Sequence, residues 1–191
     1  MVGAIILSAG KSERMGSPKA LLRYRGMSFL STILAAIASA RIEPVIVVAG
    51  HHYDLISQVF PILQIVFNPD YEKGMSTSVQ AGIRALPDGL DGAAVFLVDH
   101  PLIDRQTIDA LLARLAPGHI VVPVHNGRRG HPVIFASNLF GEILDLSPDQ
   151  GLNTVVKRIP ERVVEVFVEN PGVLRDIDTP EQFARLLGEN Q

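Results

Sequence analysis

The segment 7–19, which reads LSAGKSERMGSPK, has the residue types of an anion-binding loop. It continues an apolar run, residues 2–7, that is typical of a buried strand. Its glycines let the backbone bend and approach a ligand, and its cations Lys11, Arg14 and Lys19 offer positive charge to a triphosphate. The spacing matches neither G-x-G-x-x-G nor G-x-x-x-x-G-K-[ST], which excludes the two common nucleotide loops. The alternative is a solvated turn, but cations and glycines after a buried strand favour an anion site.

Acidic residues in two later segments have the chemistry of ligands for a hard divalent cation. Asp99 ends the apolar run AAVFLVD, where a carboxylate is well placed to hold Mg²⁺ together with several waters. The motif DIDTP puts Asp176 and Asp178 on one side of an extended segment, so either could meet the same metal. The alternatives are local roles, in which Asp99 caps the turn before Pro101 and the later acids interact with a helix dipole.

Two serines stand at the start of a predicted helix in the sequence GMSTSVQAG. The first-turn amides of a helix are free, and Ser76 and Ser78 can donate or accept hydrogen bonds, so this segment could contact a base or a ribose. The alternative for Ser76 is capping of the helix. Gly50 and Asn68 directly follow two further apolar runs and are candidates for the same site, although Asn68 could serve only a turn.

The loop GRRGHP contains two glycines, two arginines and a histidine. This composition suits an anionic, hydrogen-bonding second substrate, for which Arg129 and His131 are the candidate contacts. The alternative is that Arg128 and Arg129 are solvated turn charges. If the second substrate reacts through a phosphate group, His131 is not required as a base. Such a phosphate is already ionised near neutral pH and needs no proton acceptor.

Strands and helices alternate along the chain, which predicts a mainly parallel sheet covered by helices on both faces. The expected strands are residues 2–7, 45–49, 65–67, 93–98, 120–123, 133–135 and 163–168. The expected helices are residues 29–39, 75–86, 105–115, 139–146 and 180–187, with caps at Ser28, Asp104 and Thr179. Ligands of open α/β sheets bind beyond the carboxyl ends of the strands, where most of the candidate residues stand.

Length and composition limit the classes of protein to which the chain can belong. The 191 residues favour one domain, residues 1–191, that folds without disulfides or metals. A hydrophobic fraction of 47% is ordinary for a soluble α/β protein, and no apolar run approaches the ~20 residues of a membrane span. The absence of cysteine excludes thiol catalysis and suits the cytoplasm, and a net charge of -3 argues against nucleic acid as a partner. No H-x-x-x-H or G-x-S-x-G motif supports a zinc enzyme or a serine hydrolase.

Five segments together resemble the nucleotidyltransferases that activate molybdenum cofactor. They are LSAGKSERMGSPKALL, GMSTSVQAG, VDHP, GRRGHPVIF and DIDTPEQF, and they span nearly the whole chain. The resemblance implies a single-domain, three-layer, Rossmann-like α/β nucleotidyltransferase fold of the GT-A-like type, with a mainly parallel mixed sheet. It also implies that Asp178 is the second Mg²⁺ ligand and that Ser78 contacts the base. GRRGHP and Ala9 point to the cytidylyltransferase branch of this group.

The resemblance assigns roles to three sets of positions. The catalytic and metal-binding residues are Arg14, Lys19, Asp99 and Asp178. The contacts to the second substrate, a pterin phosphate, are Arg129, Gly130 and His131. The nucleotide contacts are Leu7, Ser8, Ala9, Gly10, Lys11, Ser12, Arg14, Lys19, Gly50, Asn68, Ser76 and Ser78.

The activity implied by this resemblance is transfer of CMP from CTP to the terminal phosphate of molybdopterin or of molybdenum cofactor, with release of pyrophosphate. Three alternatives stay open. The first is transfer from GTP or another nucleotide to a different phosphorylated substrate. The second is a non-catalytic protein that hands the cofactor to a molybdenum hydroxylase of the xanthine dehydrogenase type. The third is a dinucleotide-dependent oxidoreductase, against which the missing glycine fingerprint argues.

Overall fold

The computed structural model describes residues 1–189 and shows an α/β fold. The strands are β1 (Val2–Ser8), β2 (Arg23–Tyr24), β3 (Met27–Ser28), β4 (Val45–Ala49), β5 (Ile65–Phe67), β6 (Gly92–Leu97), β7 (Ile120–His125), β8 (Arg128–Arg129), β9 (Val133–Ala136) and β10 (Val163–Phe167). The α-helices are α1 (Phe29–Ser39), α2 (Tyr53–Val59), α3 (Met75–Ala85), α4 (Arg105–Leu112), α5 (Phe140–Leu144), α6 (Asn153–Arg158) and α7 (Pro180–Gly188). Among the described residues, no helix has the length and apolar character needed to cross a membrane.

The main sheet is mixed and mainly parallel, as predicted. Its strand order is β10-β7-β9-β6-β1-β4-β5, and β8 extends it by pairing with β7. β1 lies between β4 and β6 and runs parallel to both, while β9 runs antiparallel to its neighbours β6 and β7. A central parallel strand is buried on both faces, which explains why residues 2–7 read as one apolar run.

Two layers of helices bury the two faces of this sheet. Alternate residues of β1 point in opposite directions, so Ala4 and Ile6 pack into one apolar cluster while Ile5 and Leu7 pack into the other. The first cluster includes residues of α1 and α4, and the second includes residues of α3 and α5. The predicted three-layer arrangement is therefore confirmed.

Most of the predicted elements are present with small shifts. The strands at 45–49 and 65–67 have the predicted bounds, and Ser28 and Asp104 cap α1 and α4 through their side chains. The capping box of Thr179 and Gln182 is formed at the start of α7. α4 ends at Leu112, three residues before its predicted end, and the predicted helix 139–146 is a 3-10 turn followed by the short α5.

Several short elements were missed because their sequence signals are weak. The helices α2 and α6 are only seven and six residues long, and each buries a single side chain, Ile56 or Val155. A single buried residue gives no helical period to detect. The β2-β3 hairpin pairs two residues with two, so it is shorter than the strands that alternation can reveal.

Candidate functional site

A cavity of about 740 Å³ opens where β1 and β6 end. Its volume lies within the usual range for small-molecule sites. Most of the residues predicted to bind nucleotide or metal line this one cavity. These residues are Leu7, Ser8, Ala9, Gly10, Lys11, Ser12, Arg14, Lys19, Ser78, Asp99 and Asp178.

The loop after β1 folds back on itself around Ser12. Ser12 has a left-handed φ of 55°, and its carbonyl oxygen accepts hydrogen bonds from the amides of Met15 (3.0 Å) and Gly16 (3.1 Å). Its hydroxyl accepts a further bond from the amide of Lys19 at 3.3 Å. This turn returns the chain to the cavity, so that the side chain of Lys19 lies over the end of the sheet.

Lys19 lies between two carboxylates. Its Nζ donates to Asp99 Oδ2 at 2.9 Å and also to Asp178 Oδ1. The Lys19 side chain is 15% exposed, and the side chains of Asp99 and Asp178 are 23% and 21% exposed. Burial alone would lower the pKa of Lys19, but the bonds to Asp178 and Asp99 outweigh it and raise the pKa above its usual value. Lys19 is therefore charged near neutral pH.

Asp99 is held in its ionised form by two partners. Burial alone would raise the pKa of this carboxyl group. The hydrogen bond from His100 and the charge of Lys19 outweigh burial and hold the pKa of Asp99 well below its usual range. An ionised Asp99 can accept a hydrogen bond or a metal ion at each oxygen, as its contacts require.

Each cation of the loop has a carboxylate partner. Arg14 Nη2 donates to Asp178 Oδ2 at 2.6 Å, and Lys11 Nζ lies 2.6 Å from Glu72 Oε1. Together with Lys19, the loop thus places three positive charges around the cavity, balanced by acidic groups of other segments. Such a site can accept a polyanion when the carboxylates are neutralised in another way, for example by a metal ion.

Backbone contacts bring Asp178 to this site from the far end of the chain. The amide of Ile177 donates to the carbonyl oxygen of Asp99 at 2.9 Å, which ties the segment before α7 to the end of β6. The amide of Asp178 donates to Gln182 Oε1 at 2.7 Å, the same oxygen that accepts from the amide of Thr179 in the capping box. Asp176 is exposed and lines a second, smaller cavity instead. Of the two candidate acids, Asp178 is the one beside Asp99.

The two carboxylates suit a hard divalent cation. Asp99 and Asp178 converge on one ammonium group, so their oxygens can also converge on a metal ion. Within residues 1–189, no group of three or more His, Cys, Asp and Glu side chains could form a metal cage. Mg²⁺ needs no such cage, because it is usually bound by one or two carboxylates together with waters and substrate phosphates. The residues present therefore fit Mg²⁺ bound along with a nucleotide.

A comparison with protein families agrees with this geometry. The MobA-like NTP transferase domain matches residues 4–163, which include the loop after β1 and Asp99. The chain belongs to this family.

Full-length relatives of this MobA-like NTP transferase carry different names. The purine catabolism protein PucB of Bacillus subtilis is 31% identical and aligns with 94% of the chain and 92% of its own length. The nicotine blue oxidoreductase of Paenarthrobacter nicotinovorans is 29% identical over 97% of the chain and 96% of its own length. The molybdenum cofactor cytidylyltransferase of Escherichia coli is 27% identical over 95% and 93%, respectively. Family membership alone therefore does not select one substrate.

A solved structure shares the whole fold. The crystal structure of Rv0371c from Mycobacterium tuberculosis in complex with manganese superposes with a TM-score of 0.83 at 25% identity. The alignment covers 98% of both chains.

One predicted nucleotide contact supports the site from behind. Asn68 is buried, and its Nδ2 donates to Ser78 Oγ and to Thr77 Oγ1, both at 2.9 Å. Its Oδ1 accepts from the amide of Asp70 at 3.0 Å. Because Ser78 Oγ accepts from Asn68, the hydroxyl hydrogen of Ser78 is free to be directed into the cavity. Asn68 is thus placed to orient Ser78 and does not line the cavity itself.

Two other predicted nucleotide contacts also lie outside the cavity wall. Gly50 is packed so closely that an added Cβ would lie 2.6 Å from both the carbonyl oxygen of Ala9 and the ring of Tyr71. Ser76 is fully buried, and its hydroxyl donates to the carbonyl oxygen of Pro148 at 3.3 Å. It does not cap α3, whose N-cap is Gly74.

The GRRGHP segment is not brought into the cavity wall. Arg129 Nε donates to Glu165 Oε1 at 2.7 Å on the neighbouring part of the sheet. Gly130 packs against the carbonyl oxygen of Val173, which an added Cβ would approach to 2.2 Å. His131 is partly buried, its ring centroid lies 5.2 Å from that of His100, and burial lowers its pKa to about 4.

Sequence reasoning missed several cavity residues on the side of β4 and β5. His52, Tyr71, Glu72 and Met75 all line the cavity. His52 Nε2 donates to the carbonyl oxygen of Lys11 at 3.0 Å, so this side holds the middle of the loop. Their position in the sequence could have identified them. They follow the ends of β4 and β5, and ligands of such sheets bind at the carboxyl ends of the strands.

Proposed function

We propose that this chain transfers CMP from CTP to the terminal phosphate of molybdopterin or of molybdenum cofactor, and releases pyrophosphate. Membership of the MobA-like NTP transferase family supports nucleotidyl transfer. The choice of CTP rests on Ala9 and GRRGHP in the sequence, and on a full-length relative named molybdenum cofactor cytidylyltransferase.

The observation that carries the proposal is the convergence of Lys19, Asp99 and Asp178 on one wall of the cavity, beside the loop after β1. Attack of one phosphate on another is opposed by charge repulsion, so a transferase must neutralise the charge that develops. Lys11, Arg14 and Lys19 supply positive charge. A site with this charge pattern suits a triphosphate better than a neutral substrate.

Asp99 and Asp178 would hold Mg²⁺ in this proposal. The manganese complex of the mycobacterial relative supports a divalent cation in a protein of this fold. The metal would neutralise phosphate oxygens and the leaving pyrophosphate.

The protein's own groups position the reactants. Arg14 offers a forked guanidinium to phosphate oxygens, and Lys19 offers a compact charge that can accompany the leaving group. Ser78, oriented by Asn68, directs its hydroxyl toward the base. The terminal phosphate oxygen of the acceptor then attacks the α-phosphorus in line. The bond to the bridging α-β oxygen breaks, and pyrophosphate leaves with that electron pair.

The proposed acceptor contacts are Arg129, Gly130 and His131. None of the three lines the cavity, so a bound pterin would have to extend from the cavity toward β8 and β9. Arg129 would have to exchange its bond to Glu165 for the acceptor, which is feasible because both side chains are half exposed, at 51% and 40%.

The decisive experiment compares CTP, GTP, ATP and UTP as donors with purified molybdopterin and Mg²⁺, with pyrophosphate release as the readout. The proposal expects turnover with CTP that exceeds turnover with each of the other three. Preferential turnover with GTP would move the chain to the guanylyl branch. Normal turnover by Asp99→Ala would remove the metal assignment.

Two further measurements on the same protein could replace the proposal. Tight binding of the cofactor without turnover of any nucleotide would establish a carrier for a molybdenum hydroxylase. The relative named nicotine blue oxidoreductase is the specific reason to test a redox activity, by following nicotinamide oxidation with the same protein. Oxidation without pyrophosphate release would overturn nucleotidyl transfer.

A further inference from the structure

We infer that His100 is a positioning residue, which holds one oxygen of Asp99 so that the other faces the cavity as the metal ligand. The inference rests on the proposed role of Asp99 in metal binding. His100 belongs to the VDHP segment, but the resemblance assigned it no role and it does not line the cavity.

The two oxygens of Asp99 have different partners. Asp99 Oδ1 lies 3.0 Å from Nδ1 of His100, and Asp99 Oδ2 lies 2.9 Å from Nζ of Lys19. An ionised carboxylate can only accept hydrogen bonds, so Nδ1 of His100 must carry the hydrogen. Only Oδ2 is directed toward the ammonium group of Lys19, which lies between Asp99 and Asp178. A metal ion that replaces the ammonium of Lys19 would therefore meet Oδ2.

His100 is itself restrained. It is 8% exposed, and its amide donates to the carbonyl oxygen of Leu97 at 3.1 Å. The ring of His131 packs edge-on against it, with an interplanar angle of 63°. Nδ1 of His131 is buried and has no hydrogen-bond partner within residues 1–189. His131 thus contributes only packing against the ring of His100. The hydrogen bond to Asp99 is made by His100 itself.

Hydrogen bonds to a ligating carboxylate commonly set its orientation, and their loss reduces metal affinity about 10- to 100-fold. His100 performs this task from outside the cavity wall. Without its bond, Asp99 can rotate about its side-chain torsions, and Oδ2 is no longer held toward Asp178. The cost would fall on metal affinity more than on the stability of the fold.

Two substitutions at His100 separate positioning from packing. His100→Asn retains a nitrogen donor at the place of Nδ1 but loses the ring, and His100→Phe retains a ring but loses the donor. Positioning predicts that His100→Phe binds Mn²⁺ at least about tenfold more weakly than wild type, while His100→Asn stays within about threefold. A packing role predicts the opposite order. His119→Phe and His119→Asn, outside the cavity wall, are the matched controls.

The probe is Mn²⁺ alone, measured by electron paramagnetic resonance of the free ion, with no nucleotide or acceptor present. Failure of CTP turnover therefore does not affect the result, and the two proposals fail separately. Equal Mn²⁺ affinity in His100→Phe and wild type would overturn the inference. So would an affinity of His100→Asn as low as that of His100→Phe.

A measurement on the wild-type protein covers the case in which a variant does not fold. Long-range ¹H–¹⁵N NMR spectra report which ring nitrogen of His100 carries the hydrogen. The inference expects a protonated Nδ1 both without metal and with diamagnetic Mg²⁺ added. An unprotonated Nδ1 in either state would overturn it.

Discussion

Lys19 Nζ donates to Asp99 Oδ2 at 2.9 Å, across a separation of 80 residues in the chain. The ammonium group stands where two carboxylates converge, since Asp178 accepts from the same nitrogen. A metal ion that these two carboxylates held would occupy the place of the Lys19 ammonium. The two cations cannot be there at the same time. In the proposed mechanism, binding of a metal would therefore require release of Lys19, which could then turn toward the phosphates of the nucleotide.

Replacement of Lys19 by Met tests this exchange. Lys19→Met removes the competing charge, so we expect Mn²⁺ alone to bind roughly tenfold more tightly, a gain of ~1.4 kcal/mol. The same variant should bind the triphosphate of CTP more weakly, because it loses a phosphate contact. Titrations with Mn²⁺ and with Mg²⁺-CTP measure the two effects. Lys157→Met, an exposed position on α6, is the matched control. Weaker Mn²⁺ binding by Lys19→Met would contradict the exchange.

The two acids of DIDTP should differ in their effect on metal binding. Asp178 lies beside Lys19 and Asp99, whereas Asp176 is exposed and lines another cavity. We expect Asp178→Asn to reduce Mn²⁺ affinity more than about tenfold and Asp176→Asn to leave it within about twofold, because Mg²⁺ and Mn²⁺ prefer charged oxygen ligands. The pair is measured by the same titration. Equal losses in the two variants would remove Asp178 as the specific ligand.

Two glycines near the loop should respond differently to a methyl group. An added Cβ at Gly50 would lie 2.6 Å from the carbonyl oxygen of Ala9, whereas Gly10 has no atom within 4 Å of its Cβ position. Gly50→Ala should reduce the free energy of unfolding by about 1–3 kcal/mol through overpacking, and Gly10→Ala should change it by less than about 0.5 kcal/mol.

We expect Gly10→Ala to affect nucleotide binding, even though it should not affect stability. Gly10 lines the cavity, and we predict that the backbone approaches the phosphates there. Gly10→Ala should therefore reduce the rise in melting temperature caused by Mg²⁺-CTP, although its own stability is unchanged. A full rise in Gly10→Ala would show that the phosphates do not approach this glycine.

Burial of His131 predicts a loss of stability on acidification. Its pKa is lowered from 6.5 to about 4, first by burial and then by the charge of His100. The folded protein thus keeps His131 neutral, while the unfolded chain binds a proton below about pH 6.5. Its contribution is complete above that pH and is lost as the pH falls toward 4, by up to roughly 3 kcal/mol.

His131→Phe removes the titrating group and retains a ring. Urea unfolding at pH 7 and pH 5 measures the change in the free energy of unfolding for each protein. We expect a smaller loss between the two pH values in His131→Phe than in wild type. The comparison of differences cancels any packing cost of the substitution itself. An identical loss in both proteins would show that His131 does not account for the pH dependence.

The elements that were predicted correctly are those with strong local signals. β4 and β5 are short runs of apolar and β-branched residues, and α1 is capped by Ser28, whose hydroxyl accepts from the amide of Ser31. Such signals depend on neighbours in sequence, and tertiary packing did not override them. α2 and α6 lack such signals, because each buries only one side chain.

In the candidate site, too, local composition predicted some features, and others depend on tertiary contacts. Residues of the loop after β1 could be grouped from their composition, and most of them line the cavity. The supporting role of Asn68 behind Ser78, and the place of Ser76 against Pro148, depend on contacts with distant segments. Residue type alone did not separate a serine that lines the cavity from one whose hydroxyl bonds to a backbone carbonyl group behind it.

The sequence by itself determined the alternation of strands and helices, the clustering of cations and glycines in the first loop and the acids at the ends of two segments, because periodicity, composition and capping are local properties. Only the tertiary structure decided that Lys19 lies between Asp99 and Asp178, which stand 80 and 159 residues away from it. The physical reason is that strand order in the sheet, and the bond from the amide of Ile177 to the carbonyl oxygen of Asp99, close those distances. Pairings of this kind form between segments whose local sequences carry no mark of each other.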